Sequence, residues 1–116
     1  MLLTYNSAKR TLIAAIDGDI DHHSAALLRQ QIDHEFRKTK AINIVFDFSR
    51  LKFMDSSGIG LIMGRYKLIR PLNGKVILAG VSTQLDRLIS ISGVYKLAGW
   101  ATDVDEALRT LTEKAR

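Results

Sequence analysis

The chain has 116 residues, 47% of them hydrophobic and 25% charged, which is typical of a single globular domain, here residues 1–116. The absence of cysteine excludes disulfides, cysteine-ligated zinc and thiol chemistry, and the absence of a long apolar run or a secretion signal predicts a cytoplasmic protein without membrane attachment. The net charge of +5 comes mostly from residues 51–116 and includes no basic run interleaved with aromatics, which argues against direct nucleic-acid binding.

Hydrophobic periodicity alternates between strand-like and helix-like segments along the chain. It predicts strands at residues 11–16, 42–48 and 75–79, with weaker strands at 2–5 and 97–101. It predicts helices at about residues 24–38, after a polar corner at 55–58, after the cap Ser82 and after the cap Asp103, and residues 49–53 are interpreted as a connection. This order predicts an α/β fold with a four- to five-stranded, mostly parallel sheet and about four helices, because parallel strands need crossover connections.

The polar corner Asp55-Ser56-Ser57-Gly58 is the most informative segment. It follows a buried strand and opens a helix, so its serines lie where unpaired N–H groups and the positive end of the helix dipole collect. The simplest interpretation is an N-cap formed by Asp55 or Ser56. A cap uses one side chain and is worth about 1 kcal/mol, so the doubled serine leaves room for a function.

One candidate function is dinucleotide binding, because Gly58, Gly60 and Gly64 resemble a glycine fingerprint between strand and helix. The next strand, however, ends at residues 78–81 without the acidic residue that would hold a ribose. Gly60 and Gly64 are more simply explained as a smooth helix side for close packing. The densest basic group on the same helix, Arg65, Lys67 and Arg70, is interpreted as a solvated face.

A serine hydrolase is a second candidate, with Ser56 or Ser57 as the nucleophile and His22 or His23 as the base. The corner lacks the glycine that a nucleophile elbow places two residues before the serine. A metal site of His22, His23 and His34 is weaker, since adjacent histidines do not easily converge on one ion.

A third candidate is a serine that is phosphorylated as a switch. A phosphate carries about −1.5 to −2 charges and three strong acceptor oxygens, and a helix N-terminus tolerates it. Beside Asp55 it would create a concentrated negative spot. A partner fitted to the neutral serine would then be repelled without any refolding of the domain.

The segment Gly18-Asp-Ile-Asp-His-His-Ser24, combined with Phe53-Met-Asp-Ser-Ser-Gly-Ile-Gly60, closely resembles the anti-anti-sigma factors, small proteins made of one STAS domain. Further similarity at residues 64–67 and 92–93 extends the resemblance over essentially the whole chain. Within this family, the chain most resembles the members of the sporulation sigma-F pathway of endospore-forming bacteria. Ser24 stands where related proteins often have Thr. The family implies four or five strands with helices mainly on one face.

The resemblance also implies a function, which is partner switching. The unphosphorylated protein would bind an anti-sigma factor that is also a serine kinase with bound ADP or ATP, and so release the sigma factor. The kinase would phosphorylate Ser56, and a serine phosphatase would restore it. No catalytic residue, metal or cofactor of its own is expected, and the free protein is expected to be a monomer.

The family implies two groups of partner-binding residues. One is Asp21, the aspartate just before the two histidines, and the other is the polar corner of Asp55, Ser56, Ser57 and Gly58. We expect the replacement of Asp21 by alanine to weaken the complex with little loss of stability, since surface changes are usually small. Ser57 is interpreted as a helix cap or, alternatively, as a residue that helps to position the acceptor hydroxyl. The alternative from another class remains a small nucleotide-binding or serine-hydrolase domain that uses the same corner.

Overall fold

A computed structural model describes residues 1–111. The strands within them are β1 (Leu2–Asn6), β2 (Thr11–Ala15), β3 (Gly18–Ile20), β4 (Asn43–Asp47), β5 (Leu51–Met54), β6 (Val76–Ala79) and β7 (Gly99–Ala101). The α-helices are α1 (His22–Thr39), α2 (Ser56–Ile69), α3 (Thr83–Ser92) and α4 (Val104–Thr110). Short 3-10 turns follow α2 at Arg70–Leu72 and α3 at Val94–Lys96.

The main sheet has five strands in the order β1-β2-β4-β6-β7. The β1 strand is antiparallel to β2, and the other neighbours are parallel. Parallel neighbours need crossovers, and the helices between these strands supply them. The predicted α/β fold, its mostly parallel sheet and its weak first strand are therefore confirmed, and the weak strand predicted at 97–101 is confined to β7.

A second, two-stranded sheet pairs β3 with β5 in parallel. The interpretation of residues 49–53 as a connection is therefore wrong, because four residues beginning at Leu51 form β5. Neither strand was visible in the sequence, since three or four residues are too few to establish a period of two. This small sheet places the candidate site.

The helices cover the two faces of the main sheet unequally. Ile32 of α1, Ile62 of α2 and Ile89 of α3 are fully buried in one apolar core. Ala107 of α4 packs with Val45 against the opposite face. The β4 and β6 strands are consequently buried on both faces, which explains the nearly continuous apolar runs of both segments.

The chemistry of the helix ends follows the prediction in three places. Ser82 Oγ accepts a hydrogen bond from Leu85 N at 3.2 Å, and Asp103 Oδ1 accepts one from Glu106 N at 2.8 Å. These two predicted caps are confirmed. Asn73 takes the left-handed conformation, with φ of 57°, where the sequence predicts the turn after α2. Within residues 1–111, no helix has the length and apolar character needed to cross a bilayer.

Candidate functional site

Two helices begin side by side at the ends of the small sheet. Ile20, the last residue of β3, is in register with Met54, the last residue of β5. The next residue in each case is an aspartate, Asp21 or Asp55, at an N-cap. Asp55 N donates a hydrogen bond to Ile20 O at 3.1 Å. The two segments singled out in the sequence are therefore brought together at one corner.

Asp21 closes the start of α1 with a complete capping box. Its Oδ1 accepts hydrogen bonds from His23 N and Ser24 N, both at 2.9 Å. In return, Ser24 Oγ accepts a bond from Asp21 N at 3.0 Å and donates one to Asp19 O at 3.1 Å. The bonds from Ser24 and His23 hold the pKa of the Asp21 carboxyl below its ordinary value.

This geometry corrects two expectations. The α1 helix begins at His22, two residues earlier than the predicted start at Ser24. Asp21 is a structural cap as well as a candidate contact, so its replacement by alanine is not the nearly neutral surface change that the sequence suggested.

Asp55 opens α2 with a simpler cap. Its Oδ1 accepts one hydrogen bond, from the backbone N–H of Ser57 at 2.7 Å. The interpretation of Ser57 as the cap is wrong, because Asp55 is the N-cap residue and Ser57 contributes its backbone N–H. Ser56 is exposed and Ser57 half-buried, and within residues 1–111 neither hydroxyl makes a hydrogen bond.

Gly58 occupies the position in α2 that Ser24 occupies in α1. It is buried, and a Cβ atom there would overlap the side chain of Met54, itself 4% exposed. A side chain at this position would force the side chain of Met54 to move. Gly58 therefore lies beneath the predicted contact surface, and its small size is what allows the α2 cap to sit on β5.

A shallow groove of about 400 Å³ runs between α1 and α2 beside Ser57. It is lined by Ala25, Ala26, Gly60 and Gly64 among others. A Cβ atom at either of these glycines would meet no other atom within 4 Å. The interpretation of Gly60 and Gly64 as a close-packing side is therefore wrong, because both face open space.

At one end of this groove an ion pair joins the two helices. Arg65 Nε lies 3.0 Å from Asp33 Oδ1, and the two side chains are 7% and 18% exposed. Burial lowers the pKa of the Arg65 guanidinium, and the Asp33 carboxylate opposes that shift. The predicted solvated face of Arg65, Lys67 and Arg70 is thus wrong for Arg65, although the other two are exposed.

The position of Arg65 had a signal in the sequence that the charge pattern obscured. Arg65 follows Ile62 by three residues and precedes Ile69 by four, so it continues the apolar stripe of α2. Both isoleucines are buried. A charged residue on a buried stripe requires a partner, and Asp33 on α1 supplies it.

The residues of the alternative chemistries are arranged as follows. The rings of His22 and His23 lie edge to face at the start of α1, with centroids 6.0 Å apart. His34 is exposed farther along the same helix. In the part of the chain that the structure describes, no three histidine or carboxylate side chains are grouped to hold a metal. Among residues 1–111, no histidine or other base forms a hydrogen bond with the hydroxyl of Ser56 or Ser57.

Known proteins resemble this chain in sequence and in structure. A family model described as the STAS domain matches residues 3–107. The anti-sigma F factor antagonist of Paenibacillus polymyxa is 38% identical over 86 residues, which cover 74% of each of the two chains. The structure of the anti-sigma factor antagonist SpoIIAA in its unphosphorylated form is similar over 94% of both chains, with a TM-score of 0.71 and 28% identity. The phosphorylated form of SpoIIAA from Bacillus covers 94% of this chain and 96% of its own, with a TM-score of 0.72 and 29% identity.

Proposed function

Because this chain belongs to the STAS-domain family and, within it, to the anti-sigma factor antagonists, which are non-enzymatic regulators, we propose that it switches partners through the corner of Asp21 and Asp55. In its unphosphorylated form it binds an anti-sigma factor that is also a serine kinase, and the sigma factor is released. Phosphorylation of Ser56 by that kinase ends the binding. A serine phosphatase then restores the active form.

The state of Ser56 is the observation that carries this proposal. Its side chain is exposed at the first position of α2, and its hydroxyl makes no hydrogen bond within residues 1–111. Ser24, the serine of the neighbouring helix start, has its hydroxyl held by Asp21 N and Asp19 O. A kinase can therefore approach Ser56 without breaking a bond of the fold, whereas Ser24 is committed to a cap.

The chemistry of the switch requires only an acceptor from this chain. The Oγ of Ser56 forms a bond to the γ-phosphorus of ATP as the bond to the β–γ bridging oxygen breaks, and ADP leaves. The hydroxyl proton passes to a base of the kinase. The kinase supplies the nucleotide, the metal ion and the base, and this chain presents the hydroxyl.

The phosphate acts by changing the charge of the corner. It adds about −1.5 to −2 charges at neutral pH beside the carboxylate of Asp55 and near Asp21. The N–H groups at the start of α2 accept this charge, so the fold survives. A partner surface fitted to a small neutral serine and a carboxylate is repelled, since like charges at an interface cost several kcal/mol.

Asp21 supplies the attractive charge of the unmodified corner. Its Oδ1 accepts both bonds of the cap, and Oδ2 accepts no hydrogen bond from residues 1–111. Among residues 1–111, no lysine or arginine forms an ion pair with it. We assign Oδ2 to a basic residue of the anti-sigma factor. Asp55, Ser57 and the backbone over Gly58 complete the contact surface.

The remaining parts of the proposal follow from this role. The chain acts in the cytoplasm, where sigma factors meet RNA polymerase, as one STAS domain over residues 1–116. It is a monomer when free, because the corner must be open to the kinase. It needs no cofactor of its own.

The test is intact-mass spectrometry of the chain after incubation with ATP, with and without the anti-sigma kinase of the same organism. We expect one added phosphate only when the kinase is present, and fragmentation should locate it on Ser56. The variant Ser56→Ala should accept no phosphate while still binding the ADP-bound kinase in a pull-down assay. The matched variant Ser57→Ala should still accept its phosphate on Ser56.

Two results would contradict the proposal. Labelling that persists in Ser56→Ala would move the site to another residue. The absence of any phosphate, with a kinase proven active on another antagonist, would remove the switch. A direct titration with ATP in the absence of the kinase tests the nucleotide-binding alternative, which requires a tight intrinsic site on this chain.

A further inference from the structure

A second concave region lies far along the chain from the switch corner. A cavity of about 630 Å³ opens between α3 and the edge strand β7, at the carboxyl ends of β6 and β7. Its lining includes Asp86 and Ser90 of α3, Tyr95 of the turn that follows, and Trp100 of β7. No residue of the proposed switch lines it. The volume is that of a small binding site.

Trp100 forms an aromatic wall of the cavity. It is the single tryptophan of the chain and is 68% exposed. It is in register with Leu78 of β6, whose side chain lies on the face covered by α3. The indole ring therefore stands on the α3 side of the sheet, with no further strand beyond it among residues 1–111. A large aromatic ring with a polar N–H at the wall of a cavity suits a binding role.

Asp86 places a carboxylate in the same cavity. The hydroxyl of Tyr95 donates a hydrogen bond to Asp86 Oδ1 at 2.7 Å, which fixes the orientation of the carboxylate. Burial and the neighbouring carboxylate raise the pKa of Tyr95, so the phenol keeps the proton that it donates. Among residues 1–111, Asp86 has no ion pair with a lysine or arginine.

The charge of the cavity is opposite to that of the molecule. Among residues 1–111, Asp86 is the one charged side chain in its lining, although the chain as a whole carries +5. The N–H of Thr102, a lining residue, donates a hydrogen bond to Glu106 Oε1 on α4. An oriented carboxylate facing an aromatic wall is the arrangement that receives an organic cation.

We propose that this cavity binds an arginine side chain carried by an extended segment of a protein partner. The guanidinium stacks on the indole of Trp100 and donates hydrogen bonds to Asp86 and to the hydroxyl of Ser90, one helical turn farther along α3. Arginine suits the site better than lysine because its planar group stacks and donates in two directions at once.

The position of β7 is the reason for choosing a protein segment over a free small molecule. The β7 strand is the last of the main sheet, and no strand of the described chain pairs with its outer edge. A free edge of this kind accepts an added strand through backbone hydrogen bonds. Alternate side chains of the added strand fall on the same face as Trp100, which directs an arginine towards the cavity.

The test uses the fluorescence of Trp100, which reports on this cavity alone because the chain has no other tryptophan. The full chain is titrated with the peptide Ac-Val-Thr-Arg-Thr-Val-NH2 and with the same peptide carrying citrulline, which is nearly isosteric with arginine but neutral. We expect a saturable change of emission with the arginine peptide and a roughly tenfold weaker response with citrulline, because the charge-assisted bond is lost. N-acetyl-arginine amide, which lacks the strand, should also bind more weakly.

Variants of the chain complete the test. Asp86→Asn should weaken binding of the arginine peptide roughly tenfold. The matched control Asp105→Asn removes an exposed carboxylate that does not line the cavity, and it should bind as the parent does. Equal binding of the citrulline peptide, or unchanged binding by Asp86→Asn, would overturn the cation site. Equal binding of N-acetyl-arginine amide would overturn the added strand.

Discussion

The two neighbouring helix starts of this molecule use the same first residue and reach opposite results. Residues 21–24 and residues 55–58 both begin with an aspartate that caps a helix, and both follow a strand of the small sheet. In the first, Ser24 returns the hydrogen bond and the box closes. In the second, Gly58 stands in that place and offers no side chain. The amide that a returning serine would bind, Asp55 N, donates instead to the neighbouring strand at Ile20 O.

The difference lies in what the serine of each helix start does: one is part of a helix cap, and the other is left for the proposed phosphorylation. The start of α1 is closed by four side-chain hydrogen bonds of 2.9 to 3.1 Å, and the hydroxyl of Ser24 takes part in two of them. The start of α2 leaves the hydroxyl of Ser56 unused within the described residues. A helix start that is held by the neighbouring strand can keep its serine available for modification. Four changes to the chain break or sharpen this contrast.

The largest expected effect comes from removing the ion pair that joins α1 to α2. Asp33→Ala removes the partner of the buried Arg65 and should lower the free energy of unfolding by about 3 kcal/mol, because an unpaired buried charge is left behind. Urea denaturation followed by circular dichroism measures this loss. The double variant Asp33→Leu with Arg65→Met should recover most of it. A loss below about 1 kcal/mol would mean that water already screens the pair.

A smaller effect is expected from making the second helix start imitate the first. Gly58→Ser restores the serine of the capping box, but its Cβ atom meets the buried side chain of Met54. We expect a net loss of about 1–3 kcal/mol in the free energy of unfolding, since overpacking outweighs one added bond. Gly60→Ser is the matched control, because a Cβ atom there meets open space. If Gly58→Ser proved more stable than the parent, Met54 would have an alternative position. Packing would then not be the reason that α2 lacks the serine of the capping box.

Opening the first helix start should have a moderate effect that depends on pH. Asp21→Ala removes the acceptor of two backbone bonds and should lower the Tm by about 5 °C at neutral pH. The folded pKa of Asp21 lies below the ordinary value of 3.8, so its stabilisation is present above that pH and is lost as the pH falls through the lower folded pKa.

The melting curves of the parent and of Asp21→Ala should therefore converge in acid. Asp21→Asn is the control, because an asparagine oxygen still caps a helix but does not titrate near pH 4. A constant difference between parent and Asp21→Ala from neutral pH to strong acid would show that the ionised carboxylate is not what caps α1.

The smallest expected effect is a gain. Gly60→Ala should raise the free energy of unfolding by about 0.5–1 kcal/mol, because alanine is the better helix residue and the added methyl meets no atom within 4 Å. Differential scanning calorimetry measures it. Under the proposed function the same variant narrows the groove beside Ser57 and should weaken the complex with the anti-sigma factor. A variant that is both more stable and equally tight in binding would place the groove outside the interface.

The elements with a local signature were predictable from the sequence. The caps Ser82 and Asp103 and the long apolar strands β4 and β6 each depend on residues close in the chain, and the structure has them where the pattern indicates. The features that failed depend on distant residues. The pairing of β3 with β5 joins strands too short to show a period, and the burial of Arg65 required the knowledge that Asp33 lies opposite.

The candidate site was predictable in part. The motif placed Asp21 and Ser56 in two segments, and the resemblance joined them in one surface. What the sequence could not indicate is that Asp21 holds α1 together, because the bonds to His23 N and Ser24 N depend on where the helix begins. A start two residues later would have left the carboxylate free.

The hydrogen bond from Asp55 N to Ile20 O gives the corner its own reporter of motion. This amide belongs to neither helix and links two segments that are distant in sequence. Its proton exchanges with deuterium only when the two strand ends separate, so its exchange rate measures how often the corner opens. One amide resonance, followed in heavy water before and after modification of Ser56, would distinguish a switch that acts by charge alone from one that loosens the backbone.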